Sequence, residues 1–160
     1  MAEASYTNTA NTVLHGDFWT GNILVDTKQQ LTVVDWELAR VGGAWQDLGQ
    51  MSAELWLCAV FAESEERGER AMQALHAFHS AYQEGRGDLG KEERRLAVMH
   101  TGVHCVAWPQ YSGWESVELV EKMKVRGGKV AELAAEGDWE AMEGLGEEAF
   151  RVLLQGDKTS

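Results

Sequence analysis

The chain has 160 residues, 44% of them hydrophobic and 25% charged, with a formal net charge of −12. This length suits one domain with a real hydrophobic core, and no apolar run approaches the ~18 residues needed to cross a bilayer. The acidic balance argues against a nucleic-acid partner, which needs Lys and Arg patches; it aids solubility and is compatible with a cationic substrate.

Residues 1–11, rich in Ser, Thr and Asn, predict a flexible tail without the basic-then-apolar pattern of a signal peptide, and hence a cytoplasmic protein. Thr12-Val13-Leu14 is a short apolar lead into His15-Gly16-Asp17. Ile23-Leu24-Val25 and Leu31-Thr32-Val33-Val34 are β-branched-rich runs separated by Asp26-Thr27-Lys28-Gln29-Gln30, which predicts a β-hairpin. Gly42-Gly43 marks a loop. Asp47 then serves as a cap for a helix from Leu48 to Phe61, whose apolar interior (Met51, Leu55, Trp56, Cys58, Ala59) predicts a core helix. A second helix, Ala71 to Tyr82, puts Met72, Leu75, Phe78, His79 and Tyr82 on one side. Gly85 to Gly90 is a loop. A third helix runs from Glu92 to Trp108 and is ended by Pro109. A fourth, Glu115 to Glu136, is weakened at Gly127-Gly128. Asp138 caps a fifth that ends near Gln155. Cys58 and Cys105, both in apolar helical stretches, read as buried thiols. The fold class is therefore α+β and mostly helical: one small hairpin followed by a helical bundle.

The chemistry concentrates in His15-Gly16-Asp17-Phe18-Trp19-Thr20-Gly21-Asn22 and, after the hairpin, in Asp35-Trp36-Glu37. Asn22 stands at the entry of the first strand and Asp35 at the exit of the second. A hairpin brings such ends side by side, with paired Cα atoms ~4.5–5.5 Å apart. Hard oxygen ligands converging there suit Mg²⁺, which takes its remaining ligands from water and substrate phosphates. Asp17, five residues before Asn22, is placed to accept a proton from a substrate hydroxyl.

The order and spacing of these residues resemble the protein-kinase-like superfamily, in the form used by the aminoglycoside phosphotransferase and choline kinase family. That family has His-Gly-Asp where protein kinases have His-Arg-Asp, and Asp-Trp-Glu or Asp-Phe-Glu where they have Asp-Phe-Gly. Residues 12–49 carry the resemblance, and the later helices are compatible with it. It implies a kinase-like carboxy-terminal lobe over residues 12–155 that transfers phosphate from ATP, with Mg²⁺, to a hydroxyl of a small molecule. Asp17 would be the catalytic base, Asn22 a metal ligand and Asp35 the main Mg²⁺ ligand. His15 would tie the loop together, and Asp47 in Gln46-Asp47-Leu48-Gly49 would brace it. The helices after the metal Asp shape the acceptor pocket in such enzymes, so by analogy alone His104, Trp108 and Trp114 are candidates for substrate contact. Aminoglycoside, choline-like amine and thioribose sugar all stay open as acceptors.

Three other signals lead elsewhere or nowhere. Gly85-Arg86-Gly87-Asp88-Leu89-Gly90 matches a G-x-G-x-x-G string, but it follows a helix, whereas phosphate loops of that kind sit on a β element. His100 and His104 have i, i+4 spacing, but Thr101 stands where a metalloprotease helix has Glu, so they read as core or cleft histidines. The resemblance also implies a glycine-rich loop, a strand Lys and a helix Glu upstream of the catalytic loop. Fourteen residues precede His15, so the amino-terminal ATP-binding lobe is expected to be absent from this chain. The expectation is a half-enzyme with little activity alone, completed by a lobe in trans or self-associating; the alternative is a non-catalytic pseudokinase-like binding or scaffold module.

Overall fold

The computed structural model of the chain describes residues 12–87, 89–111, 116–144, 148–150 and 153. The segment predicted as a tail, the candidate residue Trp114 and the end of the chain after Leu153 lie outside them. The described part is mostly helical, with two small antiparallel ribbons at its amino-terminal end.

The predicted hairpin is present: β2 (Ile23–Val25) pairs with β3 (Leu31–Val33), with Ile23 opposite Val33 and Val25 opposite Leu31. Asp26 closes the turn by accepting from the Lys28 and Gln30 amides through Oδ1, each at 2.8 Å. A second ribbon joins β1 (Thr12–Leu14) to β4 (Arg40–Gly42), with Val13 opposite Val41. It was not foreseen, because Arg40-Val41-Gly42 is too short and mixed to show strand alternation. Between the ribbons lies a 3₁₀ turn at Trp36–Leu38, and another at Thr20–Asn22 leads into β2.

Four long helices follow: α1 (Trp45–Val60), α2 (Glu65–Arg86), α3 (Lys91–Ala107) and α4 (Val117–Glu136), then the short α5 (Trp139–Gly144) and a 3₁₀ turn at Glu148–Phe150. α1 begins three residues before its expected start, so Asp47 lies in its first turn and is not its cap. α2 is longer than its apolar face. Ser64 caps it by accepting from the Arg67 amide, and the exposed pairs Arg67–Glu63 and Arg70–Glu66 support its first turns. Its buried side is the expected one, with Leu75 and His79 fully buried and Met72, Phe78 and Tyr82 packed against the core. Asp138 caps α5 as expected, accepting from the Ala141 amide at 2.9 Å.

The core lies between the helices: Leu48, Trp56 and Leu57 of α1, Leu75 of α2, Val98 and Cys105 of α3, and Met123 and Val130 of α4. α4 is not weakened at Gly127. A Cβ there would lie 2.7 Å from the Gly102 carbonyl oxygen, and one on Gly102 would lie 2.6 Å from the Gly127 oxygen. The two glycines let the backbones of α3 and α4 touch, so tertiary packing outweighs the helix-propensity cost of about 1 kcal/mol each. Cys105 is buried as expected, but Cys58 is exposed, on the outer side of α1.

Candidate active site

The loop between β1 and β2 is built around a glycine and a buried histidine. Gly16 has φ +86°, and a Cβ there would meet the Leu38 carbonyl oxygen and Arg40 Nη1, both at 2.3 Å. Only glycine fits this left-handed, crowded position. His15 is buried, and its Nε2 donates to the Val34 carbonyl at 2.8 Å. Nδ1 then accepts from the Asp17 amide at 3.3 Å. One imidazole thus links the β1–β2 loop to the exit of the β2–β3 ribbon. Its ring also lies 4.7 Å from that of Trp36 and 5.8 Å from that of Phe18. Asp47 reaches up from α1 and accepts from two loop amides, His15 N–H at 2.7 Å and Gly16 N–H at 3.0 Å.

These supports leave the Asp17 carboxylate pinned from two sides. Gln50 Nε2 donates to Oδ1 at 2.7 Å. Asn22 Nδ2 donates to the Asp17 carbonyl at 2.9 Å and approaches Oδ2 at 3.5 Å. Asn22 is buried, and its carbonyl accepts from the Val34 amide at 3.0 Å, which carries the ribbon pairing up to the residue before Asp35. Asn22 and Asp35 therefore stand at the same end of the ribbon, as the hairpin geometry required. Asp35 is exposed, and its backbone is left-handed, φ 68° and ψ 55°. For a non-glycine residue that conformation costs roughly 1–2 kcal/mol, least for Asp and Asn. Its carboxylate takes no hydrogen bond from the described residues.

The donor set fits a hard divalent cation. Asn22 has committed its Nδ2 to Asp17, which leaves its amide oxygen as the atom that could coordinate, and Asp35 offers a carboxylate with no competing partner among the described residues. Among the described residues no group of three or more His, Cys, Asp or Glu converges.

Two residues of this site were missed in the sequence. Gln50 lies three residues beyond Asp47, on the same face of α1, and starting the helix at Trp45 would have exposed that spacing. Arg40 extends Nη1 to the Gly16 and Leu38 carbonyls at 3.4 and 3.3 Å, and Nη2 to Gln46 Oε1 at 2.7 Å. It joins the β1–β2 loop, the segment after Asp35 and α1, and nothing in a lone Arg announces that.

The two histidines of α3 face different partners. His100 packs edge-on against Trp45, with ring centroids 5.6 Å apart. Burial pushes its pKa down, with His104 and Arg40 adding repulsion and Asp47 opposing. His104 Nε2 donates to Glu54 Oε1 at 2.8 Å, and its ring lies 5.7 Å from that of Trp108. The G-x-G-x-x-G string begins in the last turn of α2 and ends at the residue before α3, so it joins two helices. Behind the β1–β2 loop, Leu14, Phe18, Leu48, Phe78 and Tyr82 line a cleft of about 400 Å³.

The sequence also matches known proteins. Residues 3–87 match the model of the phosphotransferase enzyme family, APH. A 4-hydroxytryptamine kinase of Psilocybe cubensis is 28% identical over 116 residues, covering 67% of this chain and 30% of the relative. A 4-hydroxytryptamine kinase of Psilocybe cyanescens is 26% identical over 128 residues, covering 75% of this chain and 33% of the relative. The chain thus spans about a third of the length of the curated relatives it matches. No solved structure matches it. The family match covers more than half of the chain and includes the whole loop, ribbon and brace described above: the chain belongs to the phosphotransferase enzyme family.

Proposed function

We propose that this chain carries the base and the metal ligands of an ATP-dependent phosphotransferase acting on a hydroxyl of a small molecule. The observation that supports it best is the Asp17 carboxylate, held by Gln50 on one oxygen and approached by Asn22 on the other, at the end of the ribbon that delivers Asp35. Asp17 Oδ2 accepts the proton of the acceptor hydroxyl while Gln50 fixes the carboxylate through Oδ1. Asn22 Oδ1 and Asp35 would hold Mg²⁺, which when bound neutralises the phosphate charge. Asp47 and His15 keep the loop in register with the ribbon. Phosphoryl transfer leaves little covalent chemistry to the protein, so this positioning is its main contribution.

In this reading the described residues form the carboxy-terminal lobe of the kinase-like fold. A nucleotide-binding lobe, in a longer protein or in trans, supplies the remaining phosphate contacts, and this chain alone turns over slowly or not at all. The names of the two relatives favour an aromatic amine bearing a hydroxyl as acceptor, over a sugar.

Calorimetry of the chain with Mg²⁺ and ATP, beside Asp35→Ala, tests the reading. Metal-dependent binding that the variant loses is the expected result. Binding that survives in the variant removes Asp35 from the metal site, and absence of binding by either protein means that the chemistry belongs to a longer protein and that this chain alone is a fragment or a scaffold.

A further inference from the structure

Gly16 has both of its backbone polar groups taken by side chains from other segments. Its N–H donates to Asp47 Oδ1 at 3.0 Å, and its carbonyl accepts from Arg40 Nη1 at 3.4 Å. That carbonyl belongs to the peptide that leads into Asp17. The same Nη1 donates to the Leu38 carbonyl at 3.3 Å, at the end of the 3₁₀ turn that Asp35 opens. Nη2 donates to Gln46 Oε1 at 2.7 Å, in the first turn of α1. One guanidinium thus spans the loop of Asp17, the turn after Asp35 and the helix that carries Asp47. Two features put it there. Arg40 stands opposite Leu14 in the β1–β4 ribbon, just before the loop. Gly16 then leaves the space, since a Cβ on it would lie 2.3 Å from Nη1. These segments carry the carboxylates of Asp17, Asp35, Glu37 and Asp47. Among the described residues, Arg40 is the one Lys or Arg hydrogen-bonded to them.

We infer that Arg40 is a positioning residue: it holds the backbone beside Asp17 and the backbone beside Asp35, and so fixes the two carboxylates relative to each other. The inference rests on the phosphotransferase reading, in which Asp17 is the base and Asp35 the metal ligand. Both carbonyl contacts are longer than the usual hydrogen bond, so the positive charge carries much of them. Lysine keeps that charge, whereas glutamine keeps only a neutral donor. The other reading of Arg40 is a surface side chain that merely closes the β1–β4 ribbon. Such a side chain serves equally well when neutral.

The test compares Arg40→Gln and Arg40→Lys in the purified chain. Arg40 is exposed, so both variants should melt within about 2 °C of the parent. Hydrogen exchange is read at the Asp17 and Ala39 amides, which mark the two held segments. In Arg40→Gln both should exchange about tenfold faster, the worth of one charge-assisted hydrogen bond. Arg40→Lys should recover most of that difference. The Mg²⁺ midpoint for ATP binding should rise in Arg40→Gln by a similar factor, with the melting temperature unchanged, and return in Arg40→Lys. Exchange that stays at the parent rate in Arg40→Gln, or glutamine and lysine variants that behave alike, would reduce Arg40 to a ribbon side chain. A metal midpoint that moves only together with the melting temperature would do the same. The parent titration is read separately. Metal-dependent ATP binding that neither substitution alters rejects the role of Arg40 and keeps the phosphotransferase. No ATP binding by the parent, whatever the exchange rates, rejects the positioning role in this chain together with the reading it rests on.

Discussion

His79 is fully buried at the centre of the helical layer, with Nε2 2.7 Å from Ser52 Oγ. The Ser52 hydroxyl donates to the Leu48 carbonyl at 2.6 Å, so His79 donates through Nε2, and Nδ1 has no partner. Burial first, and His76 second, lower its pKa from 6.5 to about 3. The folded state thus refuses a proton that the unfolded chain takes up below about 6.5. The stability this neutral imidazole contributes is complete above that pH. It is lost progressively as pH falls towards 3, with a slope approaching about 1.4 kcal/mol per unit. Thermal melts from pH 7 to pH 4 should fall steadily for the parent, and His79→Gln should start lower and fall less. Asp47 makes a residue-scale prediction of another kind. Its carboxylate satisfies two loop amides, so Asp47→Ala should cost about 2–4 kcal/mol in urea unfolding. It should also weaken Mg²⁺-dependent nucleotide binding, because the loop that carries Asp17 loses its brace.

At the scale of elements, the glycines of α4 separate packing from propensity. Gly127 faces the α3 backbone, whereas a Cβ on Gly128 would meet nothing nearer than Val106 Cγ2 at 3.8 Å. Gly127→Ala should therefore destabilise by about 1–3 kcal/mol or more through forced separation of the helices. Gly128→Ala should stabilise by up to about 1 kcal/mol through helix propensity. Melting temperatures of the two variants should move in opposite directions, by about 2–4 °C per kcal/mol. The same contrast explains what the sequence made legible. The hairpin, the buried face of α2 and the cap at Asp138 follow from local periodicity and turn chemistry, and all three are present. The unbroken path of α4 depends on a contact between residues 25 apart, Gly102 and Gly127, and a propensity argument cannot see it. The β1–β4 ribbon likewise depends on pairing across the whole catalytic loop. At the candidate site, the placement of Asn22 and Asp35 at one end of the ribbon was legible because the hairpin between them fixes their relation. Gln50 and Arg40 were not, since each acquires its role only through the neighbour that the fold brings to it.

Across the whole molecule, the helical layer has a core and the ribbon layer does not. Val13 and Val41, directly opposite in the β1–β4 ribbon, are 70% and 66% exposed. Val25 and Leu31, directly opposite in the β2–β3 ribbon, are 63% and 69% exposed. Cross-strand partners share a face, so each ribbon presents an apolar pair to solvent. Among the described residues each ribbon is also only two strands wide, so each strand there has an edge, a template for further pairing. An apolar face with free edges is covered in a stable protein or it associates. The high negative charge opposes association only over about 10 Å at ordinary salt. Light scattering of this chain should therefore show mass rising with concentration, and more steeply as salt is added. Replacing Leu31 and Val41 by Lys puts charge on both ribbons and touches neither the core nor the catalytic loop. It should return the chain to a monomer with little change in melting temperature. A parent chain that stays monodisperse at high concentration and high salt would mean that the ribbon layer is already protected.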